Sequence, residues 1–151
     1  MTYYRERLWP AAWIYISLGL VIPASILVFM PINQLVGVIT GLCLYLGCAG
    51  LLTATAPTLL VTEHQLVAGR AALPLSLVGE ATGFEGSEAT MERGQRLDAR
   101  AWLLIRGWVG PVVKIVVADE ADPTPYWLVS TRKPDEFISA IVTARDSAPS
   151  Q

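Results

Sequence analysis

The stretch LWPAAWIYISLGLVIPASILVFMPINQLVGVITGLCLYLGCAGLLTATAPTLLVT, residues 8–62, contains no charged side chain. Arg7 precedes it and Glu63 follows it. So long an uncharged run is more than a soluble chain of 151 residues hides in its core. A helical crossing of a bilayer needs roughly 20 apolar residues. The run therefore predicts a hairpin over residues 8–56, with spans at about 8–30 and 35–56 and a turn at Pro31-Ile32-Asn33-Gln34. Residues 1–7 form a short segment on one side. The remainder, from Pro57, returns to the charge density of a water-facing domain, which is expected to extend over 57–145 and to leave 146–151 as a disordered tail.

Details of the run agree with this reading. Its first apolar stretch is longer than the 7–15 residues of a cleaved signal peptide. Trp9, Trp13 and Tyr15 gather at its start, where amphipathic rings favour the headgroup level. Pro10 falls in the first turn, where a missing N–H costs little, and Pro23 falls mid-span, where it predicts a kink. Gly37 and Gly41 form a small-xxx-small pair and Cys48 continues that face. Small residues let helices approach closely in lipid, either within one chain or at a partner interface. Cys43 and Cys48, five positions apart, point about 140° away from each other on a helix; they read as small packing residues. Arg5 and Arg7 before the run and Arg70 after it place both termini in the cytoplasm of a multi-pass plasma-membrane protein. The spans carry no ionisable Asp, Glu, Lys, Arg or His, which argues against a transporter or proton-relay role.

Of the eleven Lys/Arg in the chain two precede Pro57, and of the thirteen Asp/Glu one does, so the water-facing part is acidic. A nucleic-acid binder shows a basic patch or stripe, and none is evident. Runs of β-branched and aromatic residues between turn residues predict strands at Thr58–Thr62, Gln65–Arg70, Leu73–Thr82, Arg100–Arg106, Val112–Asp119 and Tyr126–Ser130. Glu85 to Ala99 reads as a loop, and Gly107 to Pro111 as a turn between two strands. Pro134 opens a closing helix whose Asp135 and Glu136 complement the dipole and whose Phe137, Ile138, Ile141 and Val142 form an apolar stripe.

Short strands followed by one amphipathic helix resemble the order of pleckstrin-homology-like domains. The resemblance implies a mainly β, partly open barrel behind a two-helix hairpin. The stretches Tyr4-Arg5-Glu6-Arg7-Leu8-Trp9-Pro10 and Ala121-Asp122-Pro123-Thr124-Pro125-Tyr126-Trp127-Leu128-Val129-Ser130-Thr131-Arg132 resemble the two signatures of an actinobacterial membrane-protein family catalogued as a domain of unknown function. That resemblance implies a two-pass membrane protein and brings no catalytic residue or cofactor.

Candidate interaction residues follow from exposure and charge. Arg106, Lys114, Arg132 and Lys133 are candidates for a basic face. The first hairpin loop, Glu63-His64-Gln65, is acidic to neutral and argues against headgroup recognition there. Trp108, between two glycines, sits at an expected hairpin tip, either exposed to a membrane or partner or folded back on the sheet. Tyr126 and Trp127 alternate across a strand, so one faces the core and the other is free for a partner. Arg132 is placed to pair with Asp122. The single histidine, His64, has no matching nucleophile motif, and no Cys/His cluster or phosphate loop is present. No enzyme activity and no cofactor is expected. The sequence points to a membrane-tethered interaction or accessory module, partnered by the lipid bilayer and by a membrane or cytoplasmic protein. The alternatives are a small subunit of a larger membrane complex held through the hairpin, and an enzyme or lipid-binding module at the membrane surface.

Overall fold

A computed structural model describes residues 1–147. The chain divides into two compact units: residues 9–56, and a β-rich unit made of residues 1–8 together with the chain from Pro57 onward.

The helical unit contains α1 (Ala12–Gly19), α2 (Val21–Phe29) and α3 (Gln34–Ala54). Ala12–Phe29 and Gln34–Ala54 are long and apolar enough to cross a membrane, with mean hydropathies of 2.1 and 2.2. The break at Leu20 lies just ahead of Pro23. Proline has no N–H to return to the carbonyl four residues back, and its ring crowds that carbonyl. The expected kink is thus a break between two helices. The turn at 31–34 ends on Asn33, whose Oδ1 caps α3 by accepting the Leu35 N–H at 2.9 Å. Gly37 and Gly41 are buried and face α2. A Cβ built at either would lie 2.9 Å from a backbone Cα of Ile26 or Ile22. The small-xxx-small pair therefore serves packing inside the hairpin. Cys48, expected on the same face, is exposed, as is Cys43. By the 100° step per residue position 48 stays on the Gly37–Gly41 stripe, but it lies about two turns beyond Gly41, which already meets Ile22 near the start of α2, so it is past the close approach of the two helices.

In the other unit, β1 (Thr2–Arg7), β2 (Thr58–Thr62), β3 (Gln65–Ala68) and β4 (Ala71–Pro74) form an antiparallel meander. The expected third strand over Leu73–Thr82 is interrupted. It divides into β4, a 3₁₀ turn at Leu75–Leu77, and β5 (Val78–Phe84) in a second sheet. Gly69, at φ +63, supplies the left-handed residue that the tight β3–β4 turn requires. The second sheet runs β5, β7 (Val112–Val117), β8 (Tyr126–Ser130), β6 (Trp102–Leu104). Helix α4 (Gly86–Arg93) occupies most of the segment read as a loop. Its apolar burial rests on Ala89, too little to show as a stripe.

Three features depart from the sequence reading. The N-terminal segment, expected without structure, holds strand β1, paired with β2 from Thr2↔Thr62 to Arg7↔Thr58. The helical unit is thus inserted between two adjacent strands of one sheet. The expected hairpin across Gly107–Pro111 does not exist: β6 pairs with β8 in parallel, and β8 lies between β6 and β7. The closing helix α5 (Pro134–Ser147) continues through Asp146 and Ser147, while residues 148–151 of the expected tail lie outside the described residues.

The core sits where α5 packs against β1 and β2 of one sheet and β5 and β7 of the other. Phe137, Ile141 and Ala144 of α5 meet Leu59, Val61 and Leu66 from the first sheet and Ile115 and Val129 from the second. Alternation in β2 sends Leu59 and Val61 inward, as a half-buried strand requires.

Candidate functional site

Two polar clusters stand out in the β unit. The first joins its N-terminal strand to the end of β8. Tyr4 and Glu6 lie two apart on β1 and so share one face. The Tyr4 hydroxyl donates to Glu6 Oε2 at 2.8 Å. The Thr131 hydroxyl donates to the same oxygen at 2.6 Å, and the Arg132 backbone N–H donates to Glu6 Oε1 at 3.1 Å. The Arg132 guanidinium approaches Glu6 Oε1 at 3.6 Å. Thr131 is fully buried. Its oxygen lies 3.2 Å from the Tyr4 hydroxyl and also accepts the Lys133 N–H. The Tyr4 ring rests on Phe137 at 5.1 Å. Burial pushes the Tyr4 phenol well above its ordinary range; Thr131 opposes the rise, and the Glu6 carboxylate adds to it. A phenol so placed stays protonated and works as a hydrogen-bond donor.

The second cluster is built on α4. Glu92 is buried, and its carboxylate receives Lys114 Nζ at 3.1 Å and Arg96 Nη1 at 3.3 Å. The Lys114 ammonium also lies 4.3 Å from the Tyr126 ring centroid, a cation–π contact. The Tyr126 hydroxyl accepts the Asp98 N–H at 2.8 Å and thereby fixes the segment after α4. Arg93 reaches the carbonyls of Ala89 and Val109 and ties α4 to the Gly107–Pro111 segment. A buried carboxylate is tolerated when cations and hydrogen bonds satisfy it, as here.

Glu6 and Thr131–Arg132 belong to the two separate stretches that carried the family resemblance, and the fold brings those stretches into contact. Residues 3–141 match a family described as Protein of unknown function (DUF3093). The chain belongs to that family. No curated protein and no solved structure matches it.

The sequence-derived candidates fall out differently in this DUF3093 chain. Tyr126 and Trp127 are both buried, each at 6% exposure. Strand β8 is interior to its sheet and covered on both faces: Trp127 enters the main core, while Tyr126 packs with Ala89, Val112 and Leu128. Neither is available to a partner. Trp108 is half-buried against the core with the Arg106 guanidinium 5.9 Å from its ring, so the folded-back arrangement holds. The basic face is not one surface. Lys114 is half-buried and paired with Glu92, and Lys133 pairs with Glu136 at 2.8 Å. Arg132 pairs with Glu6 rather than Asp122, because the length of β8 separates the latter two. Asp122 instead accepts the Thr124 N–H, which with a hydrogen bond from the same residue holds its carboxyl below the usual range. Among the described residues no three of His, Cys, Asp and Glu converge on a metal-sized site. A depression of about 190 Å³ lined by Leu75, Ser76, Val78 and Arg145 is open to solvent. That is smaller than the roughly 300–1,000 Å³ of a typical ligand pocket.

Sequence reasoning missed Glu6, Thr131 and Glu92. The signal for Glu6 was present: it is the only acid before the apolar run and lies two residues from a tyrosine.

Proposed function

We propose that the chain is a membrane-tethered, non-catalytic interaction or accessory module, with the helical hairpin in the plasma membrane and the β unit in the cytoplasm. One observation carries the reading. The hairpin leaves the β unit after Leu8 and returns at Pro57, and the Leu8 N–H donates to the Pro57 carbonyl at 2.9 Å. Departure and return are neighbours, so a hairpin that crosses a bilayer twice begins and ends on the side that holds the β unit. Assignment of that side to the cytoplasm rests on Arg5, Arg7 and Arg70. The titratable groups that meet in the β unit are bonded to one another, which suits a scaffold better than a reacting centre.

A pleckstrin-homology-like architecture is supported by the sheet pair and the C-terminal helix. Parallel pairing of β6 with β8 and a first strand placed before the hairpin depart from it. Partner contact is assigned to an open sheet edge, where an added strand bonds the free backbone groups. The edge strand β6 is favoured because Leu103 on it is 41% exposed. A second reading, a subunit held through the hairpin, would use the α3 face around Gly47 and Gly50, since the Gly37–Gly41 face is already filled.

Photo-crosslinkers at Leu103 and Gly47 in the full chain, read in cells by mass spectrometry, test the proposal. A dominant protein adduct at Leu103 is expected. A dominant adduct only at Gly47 would favour the subunit reading. Lipid and self-adducts at both would overturn both readings.

A further inference from the structure

The net acidity of the β unit conceals a separation of charge. Arg7 is paired with Thr58, whose carbonyl accepts the Gly69 N–H at 2.9 Å. A Cβ at Gly69 would meet Leu104 at 3.3 Å and Pro57 at 3.6 Å. Arg106 follows two residues after Leu104, its N–H bonded to Ser130 Oγ at 3.0 Å. Arg7, Arg70 and Arg106 therefore share the end at which the chain departs toward and returns from the helical unit. The opposite end carries Glu63 in the β2–β3 turn and Asp119, Glu120 and Asp122 between β7 and β8. At the arginine end, Glu6 and Glu136 are held by Arg132 and Lys133. Asp135 adjoins Pro134, which a Cβ at Gly83 would meet, and Glu85 follows Phe84. Both acids thus lie at the β5 edge, across the sheet from β6 and Arg106.

We infer that Arg7, Arg70 and Arg106 form a headgroup-binding surface that seats the β unit on anionic phospholipid. The inference rests on the membrane reading above and adds the partner of this end. The attraction is one of net positive charge to an anionic leaflet, which lysine supplies as well as arginine. Continuity with Leu8 and Pro57 puts the arginines next to the points where the chain passes into apolar sequence. Each cation near an anionic leaflet strengthens association about fivefold. Removing two of the three charges lowers the seated-to-unseated ratio about 25-fold on the same basis.

The test uses the full chain in vesicles of phosphatidylcholine alone or mixed with phosphatidylglycerol. Hydrogen–deuterium exchange is read over residues 69–72 and 105–110. The expected result is slower exchange with phosphatidylglycerol, lost at high salt and in the Arg70→Gln/Arg106→Gln variant, and kept in the Arg70→Lys/Arg106→Lys variant. Exchange independent of headgroup, or protection that survives in the glutamine variant, would overturn the inference. Carbonate extraction of the same vesicles separates the two levels. A chain released by carbonate overturns the membrane reading and the inference together, whereas a retained chain with headgroup-independent exchange overturns the inference alone.

Discussion

Replacing Glu6 by alanine should unfold the β unit at a markedly lower temperature, although residue 6 lies in a stretch that sequence reading left without structure. The magnitude follows from the bonds lost. The carboxylate accepts from the hydroxyls of Tyr4 and Thr131 and from the Arg132 N–H, and it draws in the Arg132 guanidinium. A hydrogen bond to a charged group contributes about 1.5–3 kcal/mol. The terms do not simply add. Tyr4 and Thr131, already 3.2 Å apart, can bond each other, and Arg132, 40% exposed, can turn to water. The net loss is then about 2–4 kcal/mol. At about 3 °C per kcal/mol for a chain of this size, Tm falls by about 6–12 °C. Glu6→Gln keeps an acceptor and should lose about half as much. Glu136→Ala, which removes an exposed pair with Lys133, is the control and should cost no more than about 1 kcal/mol. The assay is thermal unfolding of the full chain in mild detergent by near-UV circular dichroism, which reports the Trp102 and Trp127 rings, tilted against each other with centroids 4.5 Å apart. A Glu6→Ala variant as stable as Glu136→Ala would refute the reasoning, because β1 would then not be fastened to β8.

Three further outcomes are expected. Gly37→Ala or Gly41→Ala drives a Cβ to 2.9 Å from α2 backbone and should destabilise the hairpin by about 1–3 kcal/mol, whereas Gly47→Ala and Gly50→Ala enter open space and should be neutral; unfolding in bicelles by steric trapping separates the pairs. Phe137→Ala empties the centre of the α5 contact and should cost about 3–5 kcal/mol in chemical denaturation of the β unit. The Asp98 carboxyl is held below its ordinary range by hydrogen bonds from the Arg100 side chain and backbone. A depressed folded pKa adds stability above the unfolded pKa and loses it as pH falls through the folded one. Carboxyl NMR should therefore show Asp98 titrating low in the parent and moving up in Arg100→Ala.

The parts of the fold that were legible in the sequence are those governed by local pattern. An uncharged run at helical length gave two apolar helices, and β-branched runs gave the positions of β2, β7 and β8 nearly to the residue. Pairing was not legible, because it depends on partners far apart in sequence. Thr2–Arg7 carries its charges in succession at Arg5, Glu6 and Arg7 and precedes an apolar run, so no alternation marks it as a strand; its structure comes from β2 and from the Glu6 contacts. The Gly107–Pro111 segment carries every sign of a hairpin turn, but the burial of Trp127 and Leu128 on opposite faces makes β8 central and displaces β6 to its far side. For the same reason Tyr126 and Trp127 were misjudged, since alternation identifies an inward residue only when one face is open. The arginines of the junction end were visible singly and acquire a common surface only when Gly69 and Leu104 meet.

The most direct test of the account is the sidedness of three cysteines in a chain whose own Cys43 and Cys48 are changed to serine. Thr2→Cys, Ile32→Cys and His64→Cys would be probed in intact and permeabilised cells with a membrane-impermeant maleimide. The account predicts that positions 2 and 64 react only after permeabilisation, while position 32, in the turn between α2 and α3, reacts in intact cells. Opposite behaviour of positions 2 and 64, or equal labelling of all three, would contradict a hairpin inserted between paired strands and crossing the membrane twice.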